Sequence, residues 1–345
     1  MKRKMPFVSL LVPCWNEEKF IGQCLDSLIA QDYPKESLEI LVIDGMSEDN
    51  TRNILQHYAE KYSFIKVLDN PKIVPPAAFN KGVANAKGDL IALISAHSIY
   101  PKDYISKCVK YIQRYDADNV GGILNIIPRC NSLIANAIAD SVSHPFASGN
   151  SYVKVGTKKP RWADTAAFGC YKREVFEKIG SFNEELSGSS DLDFNKRLKQ
   201  AGGKILVIPD IVIGYYADAD LKTFLKHNFA DGVWATYVLR FKSRGFSLRH
   251  IVPFIFLGSI VVAGCLAVKF PFFKWSLVGI VGTYTICSIL ISIHLALIKK
   301  KIYYLWIAPV VFAFRHIGYG VGSFLGLVML FLPRKVWRGR RSMQD

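Results

Sequence analysis

The sequence predicts an α/β domain with a mixed, mostly parallel sheet, followed by a C-terminal helical membrane region. Three observations carry this. Short continuous apolar runs alternate with amphipathic stretches over the first 220 residues. Polar residues gather where the apolar runs end. From Phe246 onward the chain changes to long runs almost free of charge.

The elements follow in order. Residues 7–13 (FVSLLVP) read as a strand, and 18–30 as a helix with Phe20, Ile21, Leu25, Leu28 and Ile29 on its apolar face. Residues 38–44 (LEILVID) form a second strand, and 48–62 a helix opened by capping residues. A third strand is expected at 64–69, a helix at 76–86 and a fourth strand at 89–95. Strands alternating with helices imply a sheet covered on both faces, with ligands beyond the carboxyl ends of the strands. The domain plan is 1–220 catalytic, 221–250 an amphipathic helical linker, 251–332 transmembrane and 333–345 a basic tail.

Residues 251–268 and 275–298 are long enough to cross a hydrocarbon core of about 30 Å. A third apolar stretch, 303–332, is interrupted by Arg315 and His316. Basic clusters lie at Lys299–Lys301 and between Arg334 and Arg341. Both belong on the cytoplasmic side, and a third crossing would expel the second. The stretch is therefore expected to be re-entrant or partly interfacial, bent near 315–318. Arg315 should face protein, water or a phosphate, or else snorkel to the interface. The helix from about 221 to 240 is expected along the membrane, with the basic segment 240–250 drawn to anionic lipid.

Lysines and arginines number 44 against 28 acids, a net charge of +16, which suits an anionic partner. Much of the excess lies beside the membrane runs, which argues against nucleic acid. The seven cysteines contain no CxxC pair and read as reduced thiols. The opening MKRKM leads into a run too short for a secretory leader.

Pro13, Asn16 and Glu17 follow the first strand; Asp44, Ser47 and Asp49 the second; Ser95, Ala96 and His97 the fourth. Singly, such residues cap helices or make turns. Their convergence at three strand ends points to a site, with Asp44 placed for a base or a ribose. Neither GxGxxG nor GxxxxGK[ST] occurs, which argues against a dinucleotide fold and a phosphate loop.

These residues sit in VSLLVPCWNEEKFIGQCLDSLIAQDYP and EILVIDGMSEDNT, and the pattern continues through NPKIVPPAAFNKGVANAKGDLIALISAH, FGCYKREVFEKIGSFNEEL, DLDFNKRLKQAGGKI and FAFRHIGYGVGSFLGL. The chain resembles the inverting family 2 glycosyltransferases, which have the GT-A nucleotide-sugar fold. Within them it is most similar to the membrane-attached succinoglycan-type glucosyltransferases of exopolysaccharide assembly. The resemblance implies that Pro13, Asn16, Glu17, Asp44, Ser47, Asp49, Asn80, Ser95 and Ala96 bind the nucleotide sugar. It implies that His97 touches a divalent cation, Mn²⁺ or Mg²⁺, at the third position of an Asp-x-Asp or Asp-x-His triplet. Ser95 replaces the usual aspartate there, so the expectation is weaker metal binding, a preference for Mn²⁺ over the harder Mg²⁺, or a metal completed mainly by the diphosphate. Asp191 falls at the aspartate of a Glu-Asp pair, the general base, with Ser190 in place of the glutamate and Asp193 as its competitor.

Residues 143–165 read as a loop covering the acceptor site, where Trp162 and Asp164 are candidate contacts. HNFADGVW stands where processive relatives carry Gln-x-x-Arg-Trp, and only Trp234 corresponds, so one sugar is expected per binding event. The implied reaction moves a sugar, from a UDP-sugar, to a lipid-linked acceptor such as a polyprenyl diphosphate saccharide. It would occur at the cytoplasmic face of the cell membrane. Two alternatives stay open: transfer to polyprenyl phosphate itself, and a non-catalytic nucleotide-sugar-binding scaffold, which Ser95 and Ser190 favour.

Overall fold

The computed structural model describes residues 5–241 and 248–332. The expected basic tail at 333–345, and most of the basic segment at 240–250, lie outside the described residues. The chain runs β1 (Val8–Cys14), α1 (Ile21–Ile29), β2 (Leu38–Asp44), α2 (Thr51–Lys61), β3 (Ile65–Asp69), α3 (Pro75–Asn85), β4 (Leu90–Leu93), β5 (Ser98–Ile99), α4 (Tyr104–Tyr115) and β6 (Asn119–Ile127). It continues through α5 (Leu133–Val142), α6 (Pro145–Ser148), α7 (Tyr152–Val155), β7 (Arg161–Trp162), β8 (Ala167–Lys172), α8 (Arg173–Ile179), α9 (Ser190–Gln200) and β9 (Ile205–Tyr216). Four helices finish it: α10 (Leu221–Tyr237), α11 (Leu248–Ala267), α12 (Pro271–Lys299) and α13 (Tyr304–Leu330). Two compact units result, Met1–Asn125 with Tyr152–Tyr215, and Ile126–Ser151 with Tyr216–Asp345.

The first unit is built on the expected mixed sheet, in the order β3-β2-β1-β4-β8-β6-β9-β5, with β7 on β9. Strands β3, β2, β1 and β4 are parallel, and β8 runs against both β4 and β6. All of β2, and all of β1 but Pro13, is buried, because helices cover both faces; this is why these strands read as continuous rather than alternating apolar runs. Even the polar members are satisfied: Ser9 Oγ donates to buried Glu39 at 2.6 Å, and the Lys87 amide donates to the same carboxylate at 2.6 Å. On the α1 side the core holds Leu10, Val12, Ile21, Leu25 and Tyr104. On the α3 side it holds Leu11, Ile43, Phe182 and Phe194.

Among the described residues of the second unit, three helices are long and apolar enough to cross a membrane: His250–Ala267, Pro271–Lys299 and Tyr304–Leu330. The bend expected near 315–318 is absent. Helix α13 is continuous through its 27 residues, about 40 Å at 1.5 Å per residue. The glycines there do not break it; they admit a partner. A Cβ on Gly322 would collide with the Phe229 carbonyl, and one on Gly326 with the Val233 carbonyl. Helix α10 therefore lies parallel to α13 at backbone contact, as small-residue stripes allow. Thr236 Oγ1 seals the pair by donating to the Ser323 carbonyl at 2.9 Å.

Arg315 faces protein. It donates to Asn228 Oδ1, to Asp231 at 3.3 Å and to the Ala147 carbonyl at 3.3 Å. His316 Nε2 meets the Phe146 carbonyl at 2.9 Å. The short turn around α6 thus has its carbonyls satisfied among apolar helices, the condition for irregular backbone in such surroundings. The stretch 143–165 is accordingly not one loop: it contains α6, α7 and β7, and the division between units falls within it.

Candidate active site

The site grows from a gap in the sheet. Strand β1 pairs with β2 as far as Cys14↔Asp44, but with β4 only as far as Leu11↔Leu93. The Ile94 amide makes the last bond, to the Leu11 carbonyl at 2.8 Å. Beyond it Pro13 has no N–H to offer, and the chain after β4 turns away, with the Ser95 amide donating to the Tyr100 hydroxyl at 2.9 Å. Strand order reverses between β1 and β4, where open α/β sheets bind ligands.

One hydrogen-bonded network lines the β1–β2 side. Asn16 adopts a left-handed conformation (φ 52°), which turns its amide onto Ser47 Oγ at 2.9 Å and its side-chain oxygen onto the Glu48 amide at 2.8 Å. Ser47 Oγ in turn donates to Asp44 Oδ1 at 2.6 Å. Arg52 NH1 donates to Asp44 Oδ2 at 2.7 Å and NH2 to Asp69 at 2.9 Å. Asp44 is 0% exposed, with both oxygens engaged, so the surface near it is formed by half-exposed Arg52. The Glu17 amide donates to Thr51 Oγ1 at 2.8 Å, while the amides of Thr51 and Glu18 donate to Asp49 at 2.9 and 3.1 Å. Burial opposes ionisation of Asp49, but the Thr51 hydroxyl and these amides outweigh it and hold the carboxyl below its ordinary value. Burial, and then the Asp44 charge, push the Cys14 thiol up, so it is an inert core group.

From the β4 side His97 closes the gap. Its Nδ1 lies 2.8 Å from Glu17 Oε1, and its ring stands edge-on to Tyr215 at 5.2 Å. Tyr215 stacks on Phe168 at 5.9 Å. Phe168 has φ 41°, an outlier for a bulky residue, stabilised by the Tyr104 hydroxyl donating to its carbonyl at 2.7 Å. Ala96 is buried, and the Ser95 hydroxyl is buried without a hydrogen-bond partner among the described residues. No cluster of three His, Cys, Asp or Glu side chains occurs among the described residues. The protein nevertheless fits a cation in one respect: a carboxylate on Nδ1 is the usual support for an imidazole that binds metal through Nε2.

The other expected residues sit on other elements. Asn80 clamps the 182–184 segment: its Nδ2 donates to the Phe182 carbonyl at 3.0 Å and Glu184 at 3.1 Å, and its Oδ1 accepts from the Phe182 amide at 2.8 Å. Phe182 stacks on Phe194 of α9 at 4.2 Å, which fixes the start of that helix. There Asp191 is exposed, while its competitor Asp193 is buried and held by Arg197 at 3.0 Å. Asp191 lies near enough to reinforce the rise that burial imposes on the Tyr171 hydroxyl. Trp162 is exposed but pairs opposite Leu206, at the other end of β9 from Tyr215, with Asp164 two residues on. Trp234 belongs to α10, in the second unit, where it packs on Tyr237 at 5.8 Å. The sequence reading missed Arg52, Thr51, Phe168 and Tyr215. Arg52 had a signal, a cation in the first turn after the second strand; the aromatic pair comes together only through sheet topology.

Comparison with known proteins bears on the family and the fold. The profile of "Glycosyl transferase family 2" matches residues 9–180. A "dolichyl N-acetyl-alpha-D-glucosaminyl phosphate 3-beta-D-2,3-diacetamido-2,3-dideoxy-beta-D-glucuronosyltransferase" from Methanococcus voltae is 30% identical over 338 residues, covering 94% of this chain and 98% of that protein. Succinoglycan biosynthesis protein ExoA of Rhizobium meliloti is 28% identical over 241 residues, 65% of this chain and 72% of that one. Among solved structures, a mannosyltransferase from Pyrobaculum calidifontis in complex with GDP-Man and Mn²⁺ superposes with TM-score 0.61 at 18% identity, covering 93% of this chain and 88% of that one. The expected nucleotide-sugar fold is therefore present.

Proposed function

The chain belongs to glycosyl transferase family 2, and from that premise we propose that it moves a hexose from a nucleoside diphosphate sugar, a UDP-sugar in the first instance, to a lipid-linked saccharide. The observation that carries the donor half is the network at the gap between β1 and β4, which joins Asn16, Ser47, Asp44, Glu17 and His97 across three strand ends. The acceptor half rests on the Methanococcus voltae relative, whose name records a dolichyl phosphate-linked sugar, and on three helices apolar enough for a membrane. With Lys299–Lys301 on the cytoplasmic side, the reaction belongs at that face of the cell membrane.

In this reading the donor diphosphate lies against the Asn16–Glu17 turn and His97. Asp44 acts through Ser47 and Arg52, which it holds, and Arg52 meets the base or ribose. Asp49 and Thr51 fix the turn, and Pro13 keeps the gap open. Asn80 supports the segment leading to α9. Asp191, exposed in the first turn of α9, accepts the proton of the attacking acceptor hydroxyl; general-base catalysis of this kind contributes about 10²–10⁴-fold. A single displacement inverts the anomeric centre. Where Mn²⁺ or Mg²⁺ is bound, His97 would be its protein ligand, and the ion would offset charge on the departing diphosphate.

The test is nucleoside diphosphate release by purified protein supplied with a panel of nucleotide sugars, Mn²⁺ or Mg²⁺, and membrane lipid extract. Release that depends on a lipid-linked saccharide and disappears in Asp191→Asn is expected. Glycosylation of pure polyprenyl phosphate would replace the acceptor assignment. Binding without turnover under every condition would leave a scaffold.

A further inference from the structure

We propose that Glu17 is a positioning residue: its carboxylate fixes the tautomer and ring orientation of His97, so that Nε2 is presented to the metal–diphosphate end of the donor. The inference deepens the glycosyltransferase reading above and rests on it.

A carboxylate oxygen 2.8 Å from Nδ1 calls for a proton on that nitrogen, and in the neutral ring that tautomer has its lone pair on Nε2. Both partners are held. The Glu17 amide is tied to Thr51 Oγ1 at 2.8 Å, and the Glu17 side chain is 16% exposed. The edge-on Tyr215 ring, 5.2 Å from His97 and itself stacked on Phe168, restricts rotation of the imidazole. The pair also joins the lips of the gap, since Glu17 follows β1 and His97 follows β4. A carboxylate set directly against a diphosphate would repel it. Turned onto His97, the same charge raises the imidazole's strength as a ligand instead. It does so where Ser95 supplies no carboxylate of its own.

The test uses the full chain in lipid nanodiscs, with UDP and GDP as probes. Nucleotide affinity is measured by calorimetry with and without Mn²⁺, and bound Mn²⁺ by electron paramagnetic resonance. Wild type should bind one probe more tightly with Mn²⁺. Loss of an outer-shell partner typically costs about 10–100-fold in metal affinity, so Glu17→Ala should lose a Mn²⁺-dependent gain of that size, over and above any loss of metal-free affinity at the Asn16–Glu17 turn. Glu17→Gln, whose amide oxygen still accepts from Nδ1–H, should keep most of it and guards against a folding failure. His97→Ala should lose the same gain, and the double variant no more.

Equal loss of metal-free affinity in Glu17→Ala would make Glu17 a direct nucleotide ligand and overturn the proposal. So would an intact Mn²⁺ gain in Glu17→Ala, additive losses in the double variant, or a wild type whose nucleotide affinity ignores Mn²⁺. A wild type that binds neither probe under either condition overturns the glycosyltransferase reading, and this inference with it.

Discussion

Asp44→Ala asks whether that carboxylate is the keystone of the donor site rather than a surface ligand. The Ser47 hydroxyl donates to it at 2.6 Å and Arg52 at 2.7 Å, with Asp44 wholly buried. A hydrogen bond to a charged group contributes about 1.5–3 kcal/mol. The Arg52 bond is discounted to about 0.5–1 kcal/mol, because that guanidinium is 43% exposed and solvent screens it. The Ser47 bond is buried and dominates. Together the loss is about 2–4 kcal/mol, or about 5–15 °C in melting temperature for a domain of this size. Asp44→Asn keeps an acceptor for Ser47 and should lose about half as much. Arg52→Gln should lower nucleotide affinity with a loss of stability under about 1 kcal/mol. Thermal unfolding in detergent, followed by tryptophan fluorescence beside nucleotide titration, reads all three. The reasoning is refuted if Asp44→Ala melts like wild type, within the ~0.5 kcal/mol of a neutral surface change, and only nucleotide affinity falls.

Three further outcomes are expected. Asp191→Asn should reduce turnover by about 10²–10⁴-fold, whereas Asp193→Ala should be destabilised by about 1.5–3 kcal/mol through loss of its hydrogen bond to the charged Arg197; paired turnover and melting measurements separate the two carboxylates. Asp49 has its carboxyl lowered in the fold, so its contribution is complete above the unfolded value near about 3.9 and is lost as pH falls through the lower folded value. The melting difference between wild type and Asp49→Asn should therefore shrink between pH 5 and pH 3. Gly322→Leu should separate α10 from α13, because its side chain would enter the Phe229 backbone, and loss of folded yield on size-exclusion chromatography reports it.

The parallel half of the sheet was legible because its strands are buried on both faces and therefore read as unbroken apolar runs. The strand-end residues were legible because turns and caps use a short list of polar side chains. Pairwise use of those residues was not. Nothing in the spacing of Glu17 and His97 states that they meet, since 80 positions separate them and only the β1–β4 order joins them. The burial of Asp44 was hidden for a similar reason: its cover, Arg52, arrives from the following helix. Trp162 showed aromatic character but not register, and its pairing with β9 at Leu206 sets it at the other end of that strand from Tyr215. The stretch 303–332 read as bent because two basic clusters were assigned to one side of the membrane, which a third crossing would separate. The role of the α13 glycines as a groove for α10 required the partner, which lies 90 to 93 residues earlier in the chain.

A structure of the full chain with a nucleoside diphosphate and Mn²⁺ bound tests the central claim most directly. The account predicts the diphosphate in the gap between β1 and β4, with the cation on His97 Nε2, Glu17 still on Nδ1, and Asp191 facing the sugar side. Nucleotide density away from that gap, or a diphosphate reached by neither His97 nor the Asn16–Glu17 turn, would contradict it.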